Sequence, residues 1–255
     1  MKVLVTGVSG QLGFDVMREL LARGIEAKGA SRSDFSLTDF AAMRRFVEAH
    51  RPTAIIHCAA YTAVDKAEDE PELCREVNAA ATGELARLAK EIGAKLLYIS
   101  TDYVFPGTGE DFYEPEDEKA PCNVYGESKL LGEEAAREAL EELFIVRISW
   151  VFGENGKNFI KTMLRLAETH EELSVVGDQI GSPTYTRDLA RLLADMIVTE
   201  KYGVYHATNE GTCSWAELAA EALRLAGKKT RVRAIPTEAY PTKAKRPKNS
   251  RLSKK

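Results

Sequence analysis

Short apolar runs alternate with segments whose apolar positions recur at helical spacing over most of the chain. The runs are strand-sized, and the pattern predicts strands at 3–5, 25–27, 54–58, 95–99, 144–148 and 204–206. The intervening segments predict helices at 12–23, 39–50, 71–92 and 125–140. Because strand and helix alternate, we expect an α/β fold with a Rossmann-like doubly wound parallel sheet.

The alternation of strands and helices becomes less regular after about residue 150. Helical patterns at 158–168, 187–198 and 215–225 are joined there by longer polar connections. We therefore expect a dinucleotide-binding Rossmann domain over 1–150. Residues 151–255 then form mainly a smaller C-terminal α/β lobe that binds substrate, with some segments returning to the sheet.

Composition narrows the class of protein. The chain has 255 residues, 44% of them hydrophobic, but no apolar run approaches the roughly 20 residues of a membrane span. The first strand starts at once, without a signal-peptide pattern, so we expect a cytoplasmic protein. The four cysteines lie far apart and are expected to be reduced thiols rather than zinc ligands or disulfides.

Charge is unevenly distributed along the chain. Residues 228–255 hold eleven Lys or Arg and one acid, Glu238, whereas the whole chain has a net charge of -4. Such a segment either receives a phosphate-bearing ligand or is a solvated tail, and both interpretations stay open here. We expect no nucleic-acid partner, because the remainder is acidic and no aromatic residues are interleaved with the basic ones.

Three glycines follow the first predicted strand, at Gly7, Gly10 and Gly13, and a helix begins within them. This Gly-x-x-Gly-x-x-Gly loop gives a tight turn and a backbone without side chains. The N–H groups at the helix N-terminus face the same place, which suits the pyrophosphate of a dinucleotide. Its position between the first strand and the first helix makes the motif specific.

The second predicted strand runs into Ala30, Ser31 and Arg32, with no acid at the place where NAD-selective sites bind the ribose diol. A guanidinium suits a 2′-phosphate, so we expect Ser31 and Arg32 to contact the cofactor and NADPH to be favoured over NADH. The alternative is that Arg32 points to solvent.

Tyr125 and Lys129 lie four residues apart on a predicted helix, which places both on one face. An ammonium beside a phenol favours the phenolate, so we expect Lys129 to lower the pKa of Tyr125 and Tyr125 to act as the catalytic acid. Lys129 can also hold the nicotinamide ribose. Thr101, at the end of the fourth strand, is expected to orient a substrate ketone and the phenol; the alternative is a hydroxyl bonded to its own backbone.

Several segments carry a family resemblance beyond these motifs. They are 59–68 (AAYTAVDKAE), 100–105 (STDYVF), 149–153 (SWVFG), 158–159 (NF) and 181–188 (GSPTYTRD), with the 125–129 helix in register. They resemble the extended, sugar-nucleotide branch of the short-chain dehydrogenase/reductase superfamily and, within it, the dTDP-4-dehydrorhamnose reductase family, over residues 1 to about 252.

The resemblance implies a reductase that passes hydride from a nicotinamide cofactor to the C4 ketone of dTDP-4-dehydro-L-rhamnose, the last step of dTDP-L-rhamnose synthesis. Tyr125 would give the proton. The family pattern implies cofactor contacts at Gly10, Gln11, Leu12, Ser36, Leu37, Ala60, Tyr61, Thr62 and Ile99. It implies sugar contacts at Val64, Thr101, Asp102 and Trp150, although Trp150 also suits a core. We expect a monomer or homodimer.

Two features depart from the family pattern. Relatives usually continue for a few dozen residues beyond 246–250, so the C-terminal lobe is expected to be incompletely closed. Some members hold magnesium partly through acids in that region, and the four histidines form no paired ligand motif, so we expect no metal site.

Two other functions stay open at this point. One is a sugar-nucleotide epimerase or dehydratase, although dehydratases typically have Thr-Asp-Glu where this chain has Thr101, Asp102 and Tyr103. The other is a non-catalytic regulatory subunit that binds NADP, against which the intact Thr101, Tyr125 and Lys129 weigh.

Overall fold

A computed structural model describes residues 1–255 and contains a central sheet of six parallel strands. The strands are β1 (Lys2–Thr6), β2 (Glu26–Ala30), β3 (Ala54–His57), β4 (Lys95–Thr101), β5 (Leu143–Ile148) and the later β10 (Gly203–His206). Their order across the sheet is β2-β1-β3-β4-β5-β10, and every neighbouring pair is parallel. The expected fold class and all six predicted strands are confirmed.

Helices cover both faces of the sheet. The helices that pack on it are α1 (Gln11–Ala22), α2 (Phe40–His50), α5 (Ala81–Ile92), α6 (Val124–Ala139) and α8 (Thr186–Ile197). Two short helices, α3 (Val64–Ala67) and α4 (Pro71–Arg75), lie between α2 and α5 in the chain. Leu20 of α1 and Leu193 of α8 pack with Val5 and Leu97 in one apolar core. Met43 of α2, Leu85 of α5 and Ala136 of α6 pack in a second core on the other face. The sheet is therefore doubly wound.

The helix predicted at 71–92 is interrupted by a π-helical turn, Glu76–Ala80, between α4 and α5. Buried Asn78 lies in this turn, and its carbonyl oxygen accepts hydrogen bonds from Thr82 Oγ1 at 2.8 Å and Tyr98 Oη at 3.3 Å. The wider turn lets that carbonyl reach beyond its own helix. Apolar spacing does not encode such a change, because the helical period continues on both sides.

The remaining C-terminal elements form smaller layers. They are β6 (Val151–Phe152), α7 (Phe159–Leu166), β7 (Glu172–Val176), β8 (Ile180–Gly181), β9 (Thr184–Tyr185), β11 (Cys213–Ser214), α9 (Trp215–Leu225), β12 (Arg231–Ile235) and β13 (Asn249–Ser250). Strands β7 and β12 pair in parallel, and α7 and α9 enclose a small core that contains Met163 and Leu223. Helix α8 and strand β10 instead return to the main sheet.

The basic C-terminal segment is folded against the rest of the chain. Strand β13 pairs with β8, Leu252 is fully buried, and the Arg246 guanidinium lies 2.7 Å from the Asp65 carboxylate. The interpretation of this segment as a solvated tail is therefore wrong.

All four cysteines are free thiols, as expected. None of the helices combines the length and the apolar character that crossing a membrane requires.

Candidate active site

The carboxyl ends of β1, β3 and β4 meet at one edge of the sheet. The connection from β1 leads to β2 on one side, whereas β3 and β4 lie on the other side of β1. Ligands of open α/β sheets bind at such a switch point. The glycine loop, the 58–63 loop and Thr101 follow these three strands, so the topology brings the predicted cofactor and catalytic residues to one crevice.

The glycine loop has the backbone that the pyrophosphate prediction requires. Gly7 has a φ of 70°, and a Cβ on Gly13 would overlap the carbonyl of Gly7, so neither position accepts another residue without strain. Gly10 caps α1 without any side-chain hydrogen bond, which leaves the first N–H groups of the helix, at Gln11 and Leu12, without a side-chain acceptor. This cradle fits an anion.

A second loop covers the carbonyl side of the glycine loop. Asn155 Nδ2 donates to the carbonyl oxygens of Ser9 at 3.0 Å and Gly10 at 3.1 Å, and Asn158 Nδ2 donates to Gln11 Oε1 at 2.9 Å. These bonds occupy carbonyl oxygens of the glycine loop and leave the N–H groups of Gln11 and Leu12 without side-chain acceptors.

The end of β2 differs from the sequence expectation in one respect. Asp34 folds back so that its Oδ2 accepts hydrogen bonds from the Ser31 backbone N–H at 2.8 Å and from Ser31 Oγ at 2.9 Å. An acid therefore does stand at this strand end, although three residues later than the usual place. These bonds lower the pKa of Asp34. Arg32 is exposed, and Ser36 and Leu37 follow in the same connection.

The 58–63 loop, which contains Ala60 and Thr62, is held by Asn78. Asn78 Oδ1 accepts from the Tyr61 backbone N–H at 2.8 Å, and Asn78 Nδ2 donates to the Tyr61 carbonyl at 3.0 Å. Asn78 Nδ2 also lies 2.9 Å from Ser128 Oγ of α6. One buried amide thus fixes the predicted cofactor loop relative to the helix of Tyr125 and Lys129.

The three predicted catalytic residues lie together. Lys129 is 2% exposed; its Nζ donates to the Ile99 carbonyl of β4 at 2.7 Å and lies 4.1 Å from the centre of the Tyr98 ring. Thr101 Oγ1 donates to Asp102 Oδ1 at 3.0 Å and faces the phenol of Tyr125. Their grouping follows from the position of α6 against the end of β4; their catalytic roles stay predictions.

The expected direction of the Tyr125 pKa is wrong for this structure. Burial raises the pKa of the phenol, and the nearby Asp102 carboxylate raises it further, while the Thr101 hydroxyl opposes the rise. Burial also lowers the pKa of Lys129 to about 7, against the opposing effect of Glu133. Desolvation penalises both charged forms and is the largest cause of both pKa shifts, and neither group is among the causes that act on the other.

Asp102 is a buried acid with a free oxygen. It is 4% exposed, its Oδ2 has no hydrogen-bond partner, and burial raises its pKa to about 6. Buried carboxylate oxygens usually have partners, so an unpaired oxygen on the acid next to Thr101 is an unusual feature of this site.

A fully buried ion pair lies behind the catalytic residues. Glu133 of α6 accepts from Arg147 Nε at 2.8 Å, Arg147 Nη2 at 2.7 Å and Ser100 Oγ at 2.5 Å. Arg147 of β5 also donates to the Pro115 carbonyl at 2.8 Å. The pair joins the catalytic helix to β4 and β5 at the residue before Thr101.

The predicted sugar contacts lie around the same edge. Val64 begins α3, and Trp150 follows β5 two residues after Ile148, the partner of Thr101 in the sheet. Beyond them is a polar cavity of about 790 Å³. Its lining includes four cations of the basic segment, Lys245, Arg246, Lys248 and Arg251. No group of three or more His, Cys, Asp or Glu side chains could hold a metal ion.

Three buried residues of this site, Asn78, Glu133 and Arg147, are not predicted from the sequence. Glu133 has a usable signal, because it lies four residues after Lys129 and eight after Tyr125, on the same helix face. Asn78 and Arg147 have no such signal in the sequence, because each forms its hydrogen bonds with residues of other elements, distant in the chain.

A doubly wound parallel sheet, an uncapped glycine loop at its switch point and a tyrosine-lysine pair beside the fourth strand define a dinucleotide-binding oxidoreductase of the short-chain type.

The RmlD substrate binding domain model matches residues 1–255. A dTDP-4-dehydrorhamnose reductase of Escherichia coli is 42% identical over 268 residues, covering 99% of this chain and 89% of the relative. The spore coat polysaccharide biosynthesis protein SpsK of Bacillus subtilis is 41% identical over 252 residues, covering 99% and 89%. The Bacillus anthracis dTDP-4-dehydrorhamnose reductase, solved in complex with NADP, superposes with a TM-score of 0.97 at 42% identity, covering 100% and 90%. The chain belongs to the RmlD family, and the family resemblance stated from the sequence is confirmed.

The first prediction concerns the Glu133–Arg147 pair. Arg147→Met leaves a buried carboxylate without its cation, and we expect a loss of about 3–5 kcal/mol in the free energy of unfolding. Glu133→Leu combined with Arg147→Met should recover most of that loss, because no charge is then buried alone. Urea unfolding followed by circular dichroism measures both. A loss below about 1 kcal/mol in the single variant would contradict the central role of the pair.

The second prediction concerns Asp102. Its folded pKa of about 6 lies above the ordinary 3.8, so the folded state binds the proton more tightly than the unfolded state. The wild type should therefore lose stability relative to Asp102→Asn as pH rises from about 4 to 6, by about 2–3 kcal/mol. Urea unfolding of both proteins at pH 4, 5, 6 and 7 measures the difference. A difference that is independent of pH would show that Asp102 titrates normally.

Proposed function

We propose that this protein is an NAD(P)H-dependent reductase that converts the C4 ketone of dTDP-4-dehydro-L-rhamnose to the hydroxyl of dTDP-L-rhamnose, the last step of dTDP-rhamnose synthesis. The observation that carries the proposal is the group formed by buried Thr101, buried Lys129 and partly exposed Tyr125 at the same sheet edge as the glycine loop. The names of the Escherichia coli and Bacillus anthracis relatives support the reaction, and the NADP complex supports NADPH as the reductant.

The residues around the crevice fit a nicotinamide dinucleotide, which supplies the hydride when it is bound. The free N–H groups after Gly10 would hold the pyrophosphate, and Lys129 would hold the nicotinamide ribose. The adenosine end would lie along the β2 connection, at Ser31, Arg32, Ser36 and Leu37. The rest of the proposed cofactor surface consists of Gly7, Gln11, Leu12, Gly13, Ala60, Tyr61, Thr62 and Ile99.

Tyr125 is proposed to donate the proton to the C4 oxygen. A reduction needs the phenol protonated at the start, and burial beside Asp102 raises its pKa, which keeps the proton in place at neutral pH. As a hydride reaches C4, the oxygen becomes more basic than the phenol and takes the proton. The Thr101 hydroxyl would orient the ketone oxygen towards Tyr125.

The substrate would lie between the catalytic group and the basic cavity. The sugar would meet Val64, Asp102 and Trp150. Arg246 and Lys248 are paired with carboxylates, whereas Lys245 and Arg251 at the cavity carry no ion pair and would face the diphosphate. These two cations support the phosphate-binding interpretation of the basic segment.

The proposed reaction also assigns a role to each half of the chain. Residues 1–150 would serve as the dinucleotide-binding domain and 151–255 mainly as the substrate lobe, with 186–206 completing the sheet. We propose that the enzyme works in the cytoplasm as a monomer or homodimer, without a nucleic-acid partner.

The third prediction tests the proton donor. Tyr125→Phe removes the acidic hydrogen but keeps the ring, so we expect turnover of dTDP-4-dehydrorhamnose to fall by about 10²-fold or more. Oxidation of NADPH, followed by its absorbance, measures the loss. Tyr205→Phe makes the same chemical change at an exposed site on β10 and should keep wild-type activity.

Near-normal turnover by Tyr125→Phe would refute this assignment. Stoichiometry separates the rival reactions, because a reductase oxidises one NADPH per product whereas an epimerase regains its cofactor. Binding of NADPH without any turnover would favour a regulatory subunit.

The fourth prediction concerns cofactor choice. The Asp34 carboxylate holds the Ser31 N–H, which a 2′-phosphate would otherwise take, and its charge repels that phosphate. Asp34→Asn should therefore raise the NADPH to NADH ratio of kcat/KM by about fivefold or more. Arg32→Ala should lower the ratio. Steady-state kinetics with both cofactors measures this ratio. An unchanged ratio in both variants would show that the 2′-phosphate does not bind at the end of β2.

A further inference from the structure

The two tryptophans of the chain stack on each other. The rings of Trp150 and Trp215 lie 3.7 Å apart between centroids, with 13° between their planes. Trp150 stands at the crevice edge after β5, whereas Trp215 is the first residue of α9 in the C-terminal lobe. The stack therefore connects the edge of the main sheet to the lobe.

The backbone of Trp150 is in an unusual conformation. Its φ of 48° lies in the left-handed region, which only one other non-glycine residue of the chain adopts. A bulky aromatic residue avoids this region, so the surroundings must impose it. Thr184 supplies the constraint: its N–H donates to the Trp150 carbonyl at 3.1 Å, and its Oγ1 donates to the Ser149 carbonyl at 2.5 Å.

Residues of the C-terminal lobe also restrict the position of the Trp150 indole. A Cβ on Gly181 of β8 would lie only 2.7 Å from Cε2 of Trp150, so the indole fills the space that a side chain there would need. Trp215 is itself anchored by the Phe159 ring, 4.6 Å away between centroids, and by the lobe core. The indole position is thus set jointly by Gly181 and Trp215.

We propose that Trp215 is a positioning residue that holds the Trp150 indole as a wall of the sugar pocket, and that Gly181 leaves the room this requires. The inference rests on the proposed function, because it takes the sugar ring of the substrate as the ligand. Trp150 remains partly exposed, so an indole surface is left for the apolar C–H groups of that ring. Neither Trp215 nor Gly181 needs to touch the substrate.

Two variants approach the indole from different sides. Trp215→Leu removes the stack and keeps an apolar side chain, and Gly181→Ala pushes the indole away while Trp215 is intact. Each should raise KM for dTDP-4-dehydrorhamnose by about 3- to 10-fold, with KM for NADPH unchanged. Trp215→Phe retains an aromatic ring and should restore most of the affinity.

Circular dichroism reports the stack directly. Two indoles in such close contact couple their transitions and give paired bands of opposite sign in the far ultraviolet, and no other tryptophan contributes. The paired bands should be present in the wild type and absent in Trp215→Leu. Leu223→Ala is the matched control, since Leu223 lies eight residues after Trp215 in the same helix and lobe core, and the variant keeps both tryptophans; it should lower stability but leave KM for the sugar unchanged.

The outcomes separate the two claims. Loss of the paired bands in Trp215→Leu with a wild-type KM for the sugar would overturn the positioning role. An equal rise of KM in Leu223→Ala would overturn it as well, because the effect would then be general weakening of the lobe. Absence of turnover in the wild type would refute the proposed function. Because that measurement needs no variant, it is independent of the test of Trp215.

Discussion

The buried ion pair between Glu133 and Arg147 is the constraint on which the active site depends. Both side chains are removed from water, and two such charges are tolerable only when each has its full set of partners. Glu133 meets this need through Arg147 and Ser100, which belong to adjacent strands, so helix α6 has one favourable position on the sheet. Tyr125 and Lys129 precede Glu133 on that helix, and Thr101 follows Ser100, so one pair aligns all three.

Burial also decides the chemistry of the site. In an exposed helix, an ammonium four residues from a phenol would favour the phenolate. Here desolvation acts on both groups, keeping the proton on Tyr125 and lowering the pKa of Lys129 to about 7. A protonated phenol is the form that a ketone reduction requires at its start. The same low-dielectric surroundings raise the pKa of Asp102, next to Thr101, to about 6.

The two ends of the crevice are built from parts that are distant in the chain. Asn78, in a π-helical turn, fixes the loop of Tyr61, while Asn155 of a later loop covers the carbonyls of the glycine loop. On the substrate side, the basic segment is folded in by β13 and by the ion pair of Arg246 with Asp65. The catalytic group is thus enclosed by contacts between the sheet and the C-terminal residues.

The sequence by itself determined the parts that depend on neighbouring residues. Alternating strands and helices, the glycine loop and the Tyr125–Lys129 spacing are local patterns, and they were enough for the sheet, the position of the crevice and the grouping of the predicted catalytic residues. Tertiary structure decided what depends on burial and on long-range contacts: the Glu133–Arg147 pair, the break of the 71–92 helix at Asn78 and the direction of the Tyr125 pKa. The physical reason is that desolvation and the pairing of polar groups depend on which elements meet in space, whereas a linear pattern records only spacing along the chain.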